Sequence, residues 1–231
     1  MRRGLLTVNF NNFLCANSRD SMHAACDRWG IEFCEWNEQT APRYAVSPAC
    51  LPAAAFADTP FDEVLILDAD TLMSINCPNP FEEFPGPELI TVQNGNPERF
   101  GDYWAIKNCE RYEWNKLASE DDRFAGLPWV DGEYFNSGVV LAKRRHHESM
   151  FALALSVVQV DHGLGWNQQT PFNMAARKLG VPVRLVDERW NLIHGLFLGN
   201  EWYRQAHIIH FAGETNRERI LPTLPWRDNG Q

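Results

Sequence analysis

The sequence has no hydrophobic run long enough to cross a membrane and no acceptor site for N-glycosylation. Its longest apolar helical stretch, residues 150–160, is far shorter than the ~20 residues that a bilayer requires. The first residues also lack the apolar run of a signal peptide. These absences favour a cytoplasmic protein and leave a peripheral contact with a membrane open.

Metal-type cysteine spacings and basic stripes are also missing. The six cysteines lie in the first half of the chain without the spacing of a metal motif, so a reduced protein is expected. The net charge is −9, and the one basic cluster, Lys143 with Arg144 and Arg145, is expected to be a solvated turn. We therefore expect no nucleic-acid partner.

Strand and helix patterns alternate along the chain. Apolar runs predict strands at residues 5–8, 31–34, 63–67, 89–92, 135–142, 183–186 and 208–211. Helical patterns cover residues 18–29, 48–57, 150–160 and 171–179. This alternation predicts a three-layer α/β sheet in a single domain, residues 1–231, in which residues 222–231 form a disordered tail.

Two carboxylates follow the most apolar strand of the chain, where Val-Leu-Ile-Leu runs into Asp68-Ala69-Asp70. Side chains two apart in a strand point the same way, so Asp68 and Asp70 are expected to present their oxygens together. Open α/β sheets bind ligands at the carboxyl ends of their strands, and a divalent cation is the commonest partner of paired carboxylates. The pair predicts a metal site and a phosphate-bearing substrate.

Polar residues also mark the boundaries of two later strands. Asn136 and Ser137 precede an apolar strand and could bond a polyol, and Gly138 lets a ligand or a neighbouring backbone come close. An ordinary turn is the alternative. His210 ends a late apolar strand, where a packed core histidine is the alternative to a ligand. An imidazole added to two carboxylates favours Mn²⁺ over Mg²⁺.

A helix start near residue 170 carries the remaining signal. Thr170 is a suitable N-cap and Pro171 a suitable first helical residue, which places Gln168 and Gln169 in the preceding loop, at the positive end of the helix dipole. Two amides held there can bond a sugar or a developing charge. Trp166 lies beside two glycines and is either a stacking platform for a pyranose ring or an exposed loop residue.

In this order, the segments resemble the retaining nucleotide-sugar glycosyltransferases of the glycogenin and bacterial lipooligosaccharide galactosyltransferase type (glycosyltransferase family 8). That family has Asp-x-Asp after an apolar strand, then a Phe-Asn-(Ser/Ala)-Gly-Val strand, an Asp-Gln…Asn helix start, a Trp-Asn-Leu segment and a terminal His-x-x-Gly. The last four correspond here to residues 134–141, 168–173, 190–192 and 210–213. The resemblance covers most of the chain and implies the GT-A fold, a three-layer α/β/α domain with a mixed, mostly parallel sheet.

The resemblance also implies roles for individual residues. Asp68, Asp70 and His210 would bind Mn²⁺ or Mg²⁺, and Gln169 and Asn136 would be catalytic. The residues that would contact the nucleotide-sugar donor are Val8, Asn9, Asn11, Asn12, Asp68, Ala69, Asp70, Gly213, Arg217 and Arg219. Those that would line the substrate are Asn136, Ser137, Trp166, Gln168 and Gln169.

Two residues depart from the family pattern. Gln168 stands where the family has an aspartate, and Asn216 stands where it has a lysine after the terminal glycine. Arg217 or Arg219 is expected to supply the missing charge, since a guanidinium binds phosphate through two parallel hydrogen bonds.

The implied reaction is a metal-dependent transfer of a sugar from a nucleoside diphosphate, with uridine as the expected base, to a hydroxyl of a carbohydrate or another acceptor. Family stereochemistry implies retention of the anomeric configuration. No carboxylate occupies a convincing nucleophile position in the sequence. Front-face attack with Gln169 steadying the developing cation is therefore preferred, and a Gln169 that only positions the acceptor is the alternative.

Two other classes of protein fit parts of the pattern. A nucleotide-sugar-binding protein without transferase activity would account for Gln168 and for the missing lysine. Phosphatases of the haloacid-dehalogenase type also carry Asp-x-Asp after an apolar strand. Their pattern needs Thr or Val at the position of Leu72, and their strand usually opens the chain.

Overall fold

The computed structural model describes residues 1–9, 16–37, 39, 51–93, 103–158, 162–163, 169–194 and 201–212. Within these ranges the strands are β1 (Arg3–Val8), β2 (Glu32–Trp36), β3 (Glu63–Asp68), β4 (Thr71–Met73), β5 (Leu89–Gln93), β6 (Phe135–Lys143), β7 (Val183–Val186), β8 (Leu192–Ile193) and β9 (Ile208–His210). The helices are α1 (Ala16–Trp29), α2 (Leu51–Asp58), α3 (Pro80–Glu83), α4 (Tyr103–Glu120), α5 (Arg144–Val158), α6 (Gln169–Lys178) and α7 (Glu201–Gln205).

Six of these strands form a mixed sheet in the order β2-β1-β3-β6-β5-β7. β1 is parallel to β2 and β3, and β5 is parallel to β7, whereas β6 runs antiparallel to both of its neighbours. β4, β9 and β8 form a smaller sheet, in which β9 is antiparallel to β4 and parallel to β8. The predicted α/β class with a mixed sheet is confirmed.

Apolar side chains cover both faces of the six-stranded sheet. One face packs against α2, α5 and α6, where Phe56, Phe151 and Phe172 are buried together. The other face packs against α1 through Met22 and Cys26. Burial on both faces explains why the central strands read as continuous hydrophobic runs rather than as alternating patterns. The helices on the two faces produce the three layers.

The strands and helices predicted from the sequence are present, with ends shifted by a few residues. The short elements β4, β8, α3 and α7 and the long helix α4 were not predicted. Among the described residues, no helix combines the length and the apolar character that crossing a membrane requires. The predicted disordered tail, residues 222–231, lies outside the described ranges.

The basic cluster at the junction of β6 and α5 is not the solvated turn that the sequence predicted. Lys143 is the last residue of β6 and is only 3% exposed. Its Nζ donates to the carbonyl oxygens of Phe84, at 3.0 Å, and of Gly86. Burial lowers the pKa of Lys143, and the Glu63 carboxylate, 3.9 Å from Nζ, opposes this shift. The lysine therefore joins the end of β6 to the loop after α3.

We expect Lys143→Met to lower the free energy of unfolding by about 2–3 kcal/mol, because two carbonyl oxygens lose a charged donor in a buried position. Urea unfolding followed by circular dichroism measures the change. Arg145→Met is the matched control: Arg145 is exposed on the next helix, and a change within about 0.5 kcal/mol is expected there. Equal losses in the two variants would contradict the role given to Lys143.

Candidate metal centre

A tight turn brings the two predicted carboxylates together. β3 ends at Asp68, and Ala69 and Asp70 form the turn into β4. The Thr71 hydroxyl donates to the carbonyl oxygen of Asp68 at 2.8 Å and closes this turn. The sequence predicted that Asp68 and Asp70 come together because side chains alternate along one strand. That reason is wrong, because the strand ends at Asp68 and Asp70 lies in the turn.

The small sheet places His210 beside these carboxylates. β9 pairs with β4 so that His210 lies opposite Thr71, and the Phe211 amide donates to the Asp70 carbonyl oxygen at 2.8 Å. His210 Nε2 consequently lies 3.2 Å from Asp70 Oδ1 and 3.6 Å from Asp68 Oδ2. One ligand atom from each of the three residues lies within 4.8 Å of the others.

A glycine in β6 leaves the space that the imidazole occupies. A Cβ at Gly138 would overlap the His210 ring and would lie 2.9 Å from Asp68 Oδ2. The sequence predicted that a ligand or a backbone approaches Gly138. In the structure the neighbours are His210 and Asp68 of the candidate centre, so any larger residue at this position displaces a predicted ligand.

The donor set suits a divalent cation of intermediate softness. Two carboxylates and one imidazole nitrogen are ligands that Mn²⁺ accepts more readily than Mg²⁺ does. The imidazole is 5% exposed, and the side chains of Asp68 and Asp70 are 27% and 17% exposed. Burial raises the pKa of Asp68 to about 6, an effect that His210 opposes and the Asp70 charge reinforces. A cation at this point would relieve the repulsion.

Asn136 and Ser137 are the second and third residues of β6, close to this centre, so they lie within the strand and not before it or in a turn. Asn136 Oδ1 accepts two hydrogen bonds of 2.8 Å, one from the Gly138 amide and one from Asn191 Nδ2. Both lone pairs of this oxygen are thus engaged. Any hydrogen bond from Asn136 to a sugar therefore has to come from its Nδ2, which is a more restricted role than the sequence implied.

Gln169 is the first residue of α6. The sequence had placed it in the preceding loop, and that prediction is wrong. The helix begins before Pro171, so Thr170 is not its N-cap. The Thr170 hydroxyl instead donates to Glu113 Oε2 at 2.8 Å and shares a hydrogen bond of 2.7 Å with the Tyr134 hydroxyl. Gln169 is 8% exposed, and its Oε1 accepts from the Ser137 amide at 3.1 Å. The amide is therefore held beside the start of β6.

The predicted nucleotide-binding residues Val8 and Asn9 lie at the end of β1. Asn9 is 4% exposed, and its Nδ2 donates to Glu35 Oε1 at 2.8 Å. Arg19 makes two hydrogen bonds to the same carboxylate and holds the pKa of Glu35 below its usual range. Asn9 thus belongs to a polar cluster that joins β1, α1 and β2.

The remaining predicted site residues lie outside the described ranges: Asn11, Asn12, Trp166, Gln168, Gly213, Arg217 and Arg219. Conversely, sequence reasoning assigned no role to Asn191, although its amide bonds both Asn136 and His210. Its position in the Trp-Asn-Leu segment of the resemblance was the available signal.

Comparison with solved structures finds this fold among glycosyltransferases. A glycosyltransferase involved in the glycosylation of the major capsid of PBCV-1 aligns with 95% of this chain and 97% of its own, at a TM-score of 0.61 and 14% identity. The galactosyltransferase LgtC, in complex with donor and acceptor sugar analogues, aligns with 98% of this chain and 90% of its own, at a TM-score of 0.51 and 16% identity. An active-site mutant of LgtC gives a TM-score of 0.53 and 16% identity over 95% of this chain and 94% of its own.

Neither a protein-family model nor a curated protein sequence matches the chain. At these low identities the likeness to solved structures concerns the fold. It confirms the GT-A glycosyltransferase fold that the resemblance implied.

We expect Gly138→Ala to weaken binding of Mn²⁺ by at least about tenfold, because the added methyl group displaces the His210 ring. Electron paramagnetic resonance of free Mn²⁺ measures the affinity. Gly86→Ala is the matched control, since a Cβ at Gly86 meets only the flexible carboxylate of Glu88. Unchanged affinity in folded Gly138→Ala would contradict the close packing of His210 on β6.

We expect Asp68→Asn to stabilise the metal-free protein by about 1–2 kcal/mol near pH 7.5 and by little near pH 4. The raised pKa of Asp68 means that its ionised form costs stability. This cost builds up as the pH rises from the ordinary pKa of 3.8 to about 6 and is fully present above that. Urea unfolding at the two pH values measures it. Asp20→Asn, at an exposed position of α1, is the control. A loss of stability in Asp68→Asn near pH 7.5 would contradict the electrostatic assignment.

Proposed function

We propose that this chain is a metal-dependent glycosyltransferase that moves a sugar from a nucleoside-diphosphate sugar, with uridine as the expected base, to an acceptor hydroxyl. The observation that carries the proposal is the convergence of Asp68, Asp70 and His210 within 4.8 Å. A fold alone does not define an activity, so the site has to supply the chemistry. A glycosyltransferase fold supports the proposal because its members act on sugars.

Departure of the nucleoside diphosphate is the step that the centre would assist. Breaking the bond between the anomeric carbon and the phosphate oxygen leaves negative charge on the diphosphate. Asp68, Asp70 and His210 would hold a divalent cation, which would supply Lewis-acid stabilisation of this charge. Two ionised carboxylates and a neutral imidazole would balance the two charges of such a cation. Arg217 or Arg219 is predicted to add a positive charge at the phosphates.

At the sugar, Asn136 and Gln169 are the proposed contacts. The Ser137 amide fixes the carbonyl oxygen of Gln169 in one direction before any substrate binds. A carbonyl dipole held in this way can stabilise positive charge on the anomeric carbon without reorganisation. This favours front-face attack with retention. The nearby Glu113 is buried and accepts from Thr170, so it supports the start of α6 rather than offering a nucleophile.

Other parts of the proposal rest on the resemblance. Asn11 and Asn12 would contact the nucleotide, Gly213 the diphosphate, and Trp166 and Gln168 the donor or acceptor sugar. The acceptor would be a carbohydrate or another hydroxyl compound. Cytoplasmic localisation remains a prediction.

A screen of nucleoside-diphosphate sugars with and without Mn²⁺, following slow hydrolysis of each donor, tests the activity without knowledge of the acceptor. We expect one donor class to be hydrolysed in a metal-dependent reaction. Asp70→Asn should reduce the rate by at least about 10²-fold while the protein stays folded, because the cation loses a charged ligand. Asp27→Asn removes an exposed carboxylate of α1 and should leave the rate unchanged.

Other outcomes of this screen point elsewhere. Binding of a nucleotide sugar without turnover, across a range of acceptors, would indicate the non-catalytic binding protein. Release of phosphate from simple phosphomonoesters, with a phosphate trapped on Asp68, would indicate the phosphatase. Full activity of Asp70→Asn would remove the metal assignment.

A further inference from the structure

The third predicted ligand, His210, is connected to β6 through the buried side-chain amide of Asn191. His210 Nδ1 lies 3.1 Å from Asn191 Oδ1, and Asn191 Nδ2 lies 2.8 Å from Asn136 Oδ1. Asn136 Oδ1 in turn accepts from the backbone amide of Gly138 at 2.8 Å. Asn191 is 2% exposed and His210 is 4% exposed, so water does not compete for these bonds.

The direction of every hydrogen bond in this series follows from the backbone amide of Gly138, where the series starts. A backbone N–H can only donate, so the Asn136 atom that faces Gly138 must be its oxygen. That oxygen can only accept, so the Asn191 atom that faces it must be the nitrogen. The oxygen of Asn191 is therefore turned towards His210, and the ring nitrogen that it meets has to carry a proton.

We propose that Asn191 is a positioning residue that keeps the proton of neutral His210 on Nδ1 and so reserves Nε2 as the metal-binding atom. The proposal rests on the proposed function for its metal. The opposite tautomer would direct an N–H from Nε2 at the carboxylate of Asp70, 3.2 Å away, and would fill the place of the cation with a hydrogen bond. We call the series of hydrogen bonds from Gly138 through Asn136 and Asn191 to His210 the relay. The relay prevents this competing arrangement.

The relay also accounts for two residues of β6 and for the residue that precedes β8. Gly138 has to be glycine so that the ring fits over β6, and its amide is the donor that orients the chain of bonds. Asn136 carries the orientation from the strand to Asn191. A ligating histidine commonly donates its other N–H to a neighbouring acceptor, which fixes the ring and makes it a stronger ligand. Here that acceptor is an amide whose direction is set by the backbone.

Two substitutions at Asn191 separate hydrogen bonding from packing. Asn191→Leu keeps the approximate size of the side chain but offers no acceptor to Nδ1. Asn191→Asp keeps an acceptor but cannot donate to Asn136. We expect Asn191→Leu to raise the dissociation constant for Mn²⁺ by about 10- to 100-fold and Asn191→Asp to leave it at or below the wild-type value. Asn173→Leu is the control, because it removes another buried amide, one that bonds the backbone of Phe135 and Gln169. This substitution should change the dissociation constant for Mn²⁺ by less than about threefold.

Nitrogen-15 NMR of the histidine side chains gives a readout that requires neither metal nor activity. At a pH where the imidazole is neutral, we expect a proton on Nδ1 of His210 in the wild type and in Asn191→Asp. In Asn191→Leu we expect a shift of the proton towards Nε2. If Asn191→Leu does not fold, the wild-type protein and Asn191→Asp still decide the matter by this measurement.

The proposal is overturned by a proton on Nε2 in wild-type neutral His210, or by wild-type Mn²⁺ affinity in folded Asn191→Leu. Equal weakening by Asn191→Leu and Asn191→Asp would also overturn it, since the bond to Asn136 rather than the acceptor for Nδ1 would then matter. A wild-type protein that binds no Mn²⁺ refutes the metal site of the proposed function. In that case the tautomer measurement still decides the relay.

Discussion

Repulsion between two carboxylates is the constraint that organises this edge of the molecule. Asp68 ends β3 and Asp70 lies in the turn that follows, and protein covers most of both side chains. Burial raises the pKa of Asp68, His210 opposes this shift, and the charge of Asp70 adds to it, so a positive partner stabilises the ionised pair. The small sheet, the glycine of β6 and the amide of Asn191 all serve to bring His210 to this pair in a defined orientation.

The parts of the fold that could be predicted are those encoded by local patterns. β3 and β6 are buried on both faces, and their apolar runs identify them directly. β4 and β8 contain only three and two residues and exist through pairing with β9, which lies far away in sequence from β4. Such short strands carry too little local signal, because their stability comes from partners that the sequence does not place beside them.

The candidate site shows the same division. The three residues of the candidate metal centre could be predicted because a carboxylate pair and a histidine each lie where an apolar strand ends. The reason given for the pair was nevertheless wrong, since a turn rather than strand alternation brings the carboxylates together. Lys143, Thr170 and Asn191 were misjudged or missed because their roles depend on hydrogen bonds to distant residues. A polar side chain in a sequence does not reveal whether it will be buried with a partner.

The division of the strands between two sheets has a consequence for the order of assembly. Every strand of the six-stranded sheet lies at or before Val186, whereas His210 belongs to β9 of the smaller sheet. In a polypeptide emerging from the ribosome, every strand of the large sheet thus leaves the exit tunnel before the imidazole does. A cation that needs all three side chains could then be captured only after this late segment has docked.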